Sequence, residues 1–92
     1  MLPLTELKKQ TNAVTVDLLL TDAEMAVTLV DIADTTRSEE NRRRRLNEAR
    51  KAYEMIMRFK PKVEMKEPQR TQLEKRLTHL RRRLGGEVGL AR

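Results

Sequence analysis

The stretch Pro68-Gln69-Arg70-Thr71-Gln72-Leu73-Glu74-Lys75-Arg76-Leu77-Thr78-His79-Leu80-Arg81-Arg82-Arg83-Leu84-Gly85 decides the fold. Its four leucines recur at spacings of 4, 3 and 4, the seam of a helix packed on another helix. Pro68 suits a first helical turn, where its missing N–H costs nothing. Gly85 suits the position just past the end. A helix over 68–84 follows. The tail 85–92 carries all three glycines and is expected to be flexible.

Working back, Lys62 to Glu67 reads as a loop, with Val63 and Met65 turned inward. Before it, Ser38-Glu39-Glu40-Asn41 opens a second helix, its acids matching the helix dipole. Leu46, Ala49, Ala52, Tyr53, Ile56 and Phe59 form its inner stripe, and Pro61 ends it. Leu77 is expected in one core with Tyr53, Ile56 and Leu73.

A first helix is expected to start at Thr21. Thr21-Asp22-Ala23-Glu24 has the form of a capping box, with Leu20 and Met25 placed for a hydrophobic staple. Ala26, Leu29, Val30 and Ala33 then keep helical spacing, and Met25, Val27 and Ile32 widen the stripe. A helix this apolar is expected to be contacted from more than one side. Thr35, Thr36 and Ser38 end it. In residues 1–20 the apolar Val14, Val16, Leu18, Leu19 and Leu20 fit a strand about as well as a helix. Thr11 and Asn12 read as a stop. That segment is expected to be a short helix or arm. The fold class is all-α: a three-helix antiparallel bundle, or a helical hairpin plus a third helix, in a single domain over 1–84.

Composition narrows the function. The chain has 92 residues, 37% charged, with no cysteine and three prolines. At about 100–200 residues per domain this is one domain at most. Disulfide scaffolds and thiolate metal sites need cysteine. No stretch approaches the ~20 apolar residues of a membrane span. MLPLTELKKQ lacks the order of a signal peptide, because no apolar run follows its lysines. A soluble, cytoplasmic chain with no membrane contact is expected.

Charge is split along the chain. Residues 1–40 carry three bases and eight acids, a net of −5; residues 41–92 carry seventeen bases and six acids, a net of +11. Arg44, Lys51 and Arg58 line up at seven-residue spacing on the second helix. Lys75, Arg76, Arg82 and Arg83 lie off the leucine seam of the third. These residues are a candidate phosphate-binding face, whose affinity would come from counterion release. No aromatic platform for bases accompanies them. Solvated basic helix faces are also common.

His79 is the single histidine, and no second ligand marks a metal site. Asp31 and Asp34, three apart, read as ordinary surface acids. No nucleophile has a base at a recognisable spacing. The chain is therefore expected to be no enzyme and to need no cofactor or metal. Met55, Met57 and Phe59 cannot all share the inner stripe. They are either core covered by the following loop or an adaptable contact for another chain. As a candidate partner surface they suggest a homodimer.

Ala49-Arg50-Lys51-Ala52-Tyr53-Glu54, with Ile56 and Pro61, resembles the second helix of a tetratricopeptide repeat: small residue, aromatic four later, proline at the end. Ile56 stands where that family prefers a small residue. Its first-helix places fall on Ala33, Thr36, Arg37 and Glu40, which do not match. The resemblance covers one helix. It implies a helical hairpin that binds other proteins and carries no site residues. The functional expectation is a small protein-interaction or assembly module. The alternative is a nucleic-acid-binding protein.

Overall fold

A computed structural model describes residues 4–85, with side chains from Thr11 onward. Three helices make up the described chain: α1 (Leu4–Thr35), α2 (Glu39–Phe59) and α3 (Glu67–Leu84). A 3-10 turn, Lys60–Lys62, follows α2. The expected tail lies outside the described residues except for Gly85. That glycine caps α3 at φ 67°, a conformation that suits a residue without Cβ.

One core joins all three helices. Val16, Leu19, Ala23, Ala26, Val30 and Ala33 are buried on α1, with Ala49, Tyr53 and Ile56 on α2 and Leu73, Leu77, Leu80 and Leu84 on α3. Every one of these spacings is 3 or 4, so each helix offers a coiled-coil-like seam. Leu77 shares the core with Tyr53, Ile56 and Leu73. Val63 and Met65 are partly buried against it. The alanines of α1 let its backbone approach the others closely, and the leucines of α3 fill the space between.

Short links set the directions. Thr36–Ser38 reverse the chain, so α2 runs antiparallel to α1. The α1 turn ends with the Thr35 and Thr36 hydroxyls donating to the Ile32 carbonyl at 3.0 and 2.8 Å. The Ser38 hydroxyl caps α2 by accepting from the Asn41 amide at 3.3 Å. Lys60 pairs with Glu74, and Arg81 Nε donates to Tyr53 Oη at 3.0 Å. Seven residues back along α2 thus match seven forward along α3, an antiparallel register. α3 therefore runs parallel to α1. Arg83 confirms it by pairing with Asp34 and, at 3.8 Å, with Asp31. These acids sit near a helix C-terminus, where the dipole disfavours them, and Arg83 offsets that cost.

Two expectations are corrected. The segment 1–20 is not a separate arm or short helix: from Leu4 it is the first half of α1, a single helix of 32 residues. Thr21 is inside that helix, so it is no N-cap, and Thr11 and Asn12 are no stop. The physical reason is the seam. Val16 and Leu19 continue the register of Ala23, Ala26, Val30 and Ala33, and helix is the conformation that buries all six together. Asn12 has a different task. Its amide accepts from the Glu64 backbone N–H and donates to the Glu64 carbonyl, both at 2.8 Å. It fastens the α2–α3 connection to α1. At ~1.5 Å per residue α1 measures ~48 Å. That length accounts for most of the 53 Å long axis, against 26 and 21 Å across.

Candidate interaction surfaces

α1 carries a second apolar stripe. Two residues on a helix differ by about 200° in direction. Val14, Leu18, Met25 and Ile32, each two positions from a seam residue, therefore point away from the core. They are 59%, 56%, 57% and 43% exposed. Thr21 and Thr28 occupy the intervening positions, both exposed. The Thr28 hydroxyl donates back to the Glu24 carbonyl at 3.1 Å, so its polar atom is used within the helix. From Val14 to Ile32 this stripe spans ~27 Å. No charged residue lies on it. Asp17, Glu24 and Asp31 follow its α3-facing edge at seven-residue spacing, and Asp22 sits on the other edge. Between Thr11 and Thr35 the helix has five acids and no base.

Sequence reasoning missed this surface. Met25 and Ile32 were expected to widen the buried stripe, but the seam stops short of them. The available signal was the 3/4 spacing of Val14, Leu18, Thr21, Met25, Thr28 and Ile32. It is as regular as that of the seam.

Met55, Met57 and Phe59 are exposed by 50%, 38% and 38%. Met55 and Phe59, four apart, share one side of α2. Met57 projects on the other side of the Tyr53–Ile56 seam. Phe59 leaves the inner stripe, and the Lys62 ammonium lies over its ring at 5.3 Å. The three do not form one patch.

The basic residues divide as well. Arg44 pairs with Glu40 at 3.8 Å, and Arg83 is held by Asp31 and Asp34. Lys51, Arg58, Lys75 and Arg82 are exposed and form no ion pair with a described residue; Arg76 is partly buried and likewise unpaired. Arg44, Lys51 and Arg58 line the outer side of α2, and Lys75 and Arg82 the outer side of α3. Each line faces away from the common core, so the structure gives two ridges rather than one face.

His79 is partly buried on α3, with Nε2 lacking a hydrogen-bond partner among the described residues. It borders a shallow depression with Arg70, Glu74, Lys75 and Arg82, lined by α3 alone. One helix supplies no opposing wall to enclose a ligand. Among the described residues no three His, Cys, Asp or Glu side chains group as metal ligands. Nor is any described helix long and apolar enough to cross a membrane. No protein-family model, curated protein or solved structure matches this chain.

Proposed function

We propose that this chain is a protein-interaction module that acts by binding rather than by catalysis, and that its contact surface is the outer face of α1. The carrying observation is the exposed, uncharged stripe from Val14 to Ile32. Exposed apolar side chains gathered on one uncharged helix face are the kind of surface that interaction sites use. Full burial of a large apolar side chain is worth ~1.5–3 kcal/mol. Val14, Leu18, Met25 and Ile32 are about half exposed, so a partner would recover about 1 kcal/mol from each.

The test places a photo-crosslinking amino acid at Thr21, in the cells that make the protein. Discrete crosslinked species are expected from Thr21, and they should vanish when Leu18 and Ile32 become Gln. The same probe at Lys51 should give none of them. Equal labelling from both sites, or none from Thr21, would defeat the reading.

A second reading is nucleic-acid binding, favoured by Lys51, Arg58, Lys75 and Arg82, which pair with no described residue. Retardation of a random duplex that weakens steeply with salt would support it. Duplex mobility unchanged at low salt would dismiss it.

A further inference from the structure

We propose that the outer face of α1 receives an amphipathic α-helix from a different protein, one whose apolar seam is flanked by Lys and Arg. This rests on the reading of the chain as an interaction module and adds the chemistry of the partner.

The first argument is shape. Val14, Leu18, Thr21, Met25, Thr28 and Ile32 keep the 4-3-4-3-4 spacing that a second helix fits along its length. From Leu18 to Ile32 the positions alternate larger side chains with threonine, which leaves recesses for a partner's knobs.

The second argument is charge. The stripe is bordered by Asp17, Glu24 and the Arg83-paired Asp31 on one edge and Asp22 on the other, with no base between Thr11 and Thr35, so Asp17, Glu24 and Asp22 are the acids open to a partner. A partner that buries the stripe brings its own flanks against these acids. Basic flanks pair with them; acidic flanks are repelled.

The third argument excludes a second copy. Two α1 faces laid antiparallel set the Asp17–Glu24–Asp31 line against itself. Laid parallel, they set that line against an edge whose only charge among the described side chains is Asp22. Neither arrangement brings a base of the described α1 residues against these acids, and Arg83, which reaches that edge from α3, is already held by Asp31 and Asp34. The outer sides of α2 and α3 have the bases but not the seam. Arg44, Lys51 and Arg58 have Met55 and Phe59 to one side of them, and Lys75 and Arg82 have His79. Neither of these two lines supplies apolar residues and bases in the register the stripe requires.

The test uses two synthetic peptides of about three heptads with the same Leu and Ile seam. One carries Lys and Arg on its flanks and the other carries Glu. Binding to the full chain is read by fluorescence anisotropy at about 0.05 M salt, where screening is weak. The basic peptide should bind about tenfold more tightly, from several exposed ion pairs acting together. The chain's net charge of +6 acts the other way. Bulk electrostatics alone would therefore favour the acidic peptide.

The double variant Asp17→Asn, Glu24→Gln should abolish the preference. Leu18→Gln with Met25→Gln should weaken both peptides, while circular dichroism shows the helices intact. Tighter binding of the acidic peptide, or indifference to the Leu18 and Met25 changes, would overturn the proposal. A concentration-dependent dimer lost in the Leu18 and Met25 variant would assign the stripe to a second copy and overturn it too, leaving the interaction reading standing. If neither peptide binds and the chain stays monomeric, the helical partner is wrong. The interaction reading then falls only if crosslinks from Thr21 are also missing.

Discussion

The two long sides of α1 make the sharpest contrast in the molecule. Inside lie Val16, Leu19, Ala23, Ala26, Val30 and Ala33; outside lie Val14, Leu18, Met25 and Ile32 with two threonines. Spacing is the same on both. The outer residues are bulkier, yet the inner ones form the core. The inner positions are all apolar and the outer ones include two threonines, so composition contributes, and small volume is what fits the inner side to its neighbours. Ala23 and Ala26 on α1 share one cluster with the leucines of α3 and the Tyr53 and Ile56 of α2, small against large. Leu18, Met25 and Ile32 in the same places would hold the helices apart.

The contrast can be broken most severely at its centre. Leu77→Ala should cost ~2–5 kcal/mol in chemical denaturation, because Leu77 is wholly buried. Leu18→Ala, on the outer stripe, should stay within about 0.5 kcal/mol of wild type. Similar losses at both sites would erase the distinction between the two sides. A smaller but more pointed test is Ala26→Leu. If small volume is what defines the inner side, this gain in hydrophobicity should destabilise by ~1–3 kcal/mol. A more stable variant would show that the seam has room.

Asn12 offers a weaker perturbation at the end of the same helix. Asn12→Ala loses both bonds to Glu64 but gains helix propensity, a net loss of about 0.5–1.5 kcal/mol. Hydrogen exchange at the Glu64 amide should accelerate with it; unchanged exchange would mean the bonds do not hold the loop. The smallest effect separates two accounts of Thr21 by sign. An N-cap threonine loses about 1 kcal/mol on change to Ala. An exposed threonine inside a helix gains instead, by a few tenths of a kcal/mol. The melting temperature of Thr21→Ala should therefore rise slightly.

The same contrast explains what was legible. α2 and α3 have one apolar stripe each, so Ser38, Pro61, the four leucines and Gly85 could be read directly. α1 has two, on opposite sides. Val14, Val16 and Leu18 then alternate out, in, out, and a period of two imitates a strand. The Thr21–Glu24 spacing, a start signal in isolation, also occurs inside helices, where nothing local distinguishes it. The outer stripe was hidden for a related reason. Met25 and Ile32 are sequence neighbours of seam residues, and only the packing of α2 and α3 shows which of them α1 leaves uncovered. Asn12 was illegible because its partner is 52 residues away.

That separation also bears on how the molecule assembles. α2 meets α1 after a link of three residues, whereas the pairing of Asn12 with Glu64, like that of Asp34 with Arg83, closes a loop of about fifty. By the logarithmic law of loop closure the direct route from α1 to α3 is dearer by roughly 2 kcal/mol. The α1–α2 hairpin is therefore the expected nucleus, onto which α3 docks late. Stopped-flow kinetics should show Ile56→Val slowing folding and Leu84→Ala chiefly speeding unfolding. The reverse pattern would place α3 in the nucleus. During synthesis the order is the same: α1 is complete, with apolar residues on both sides, before either of its partners has been made.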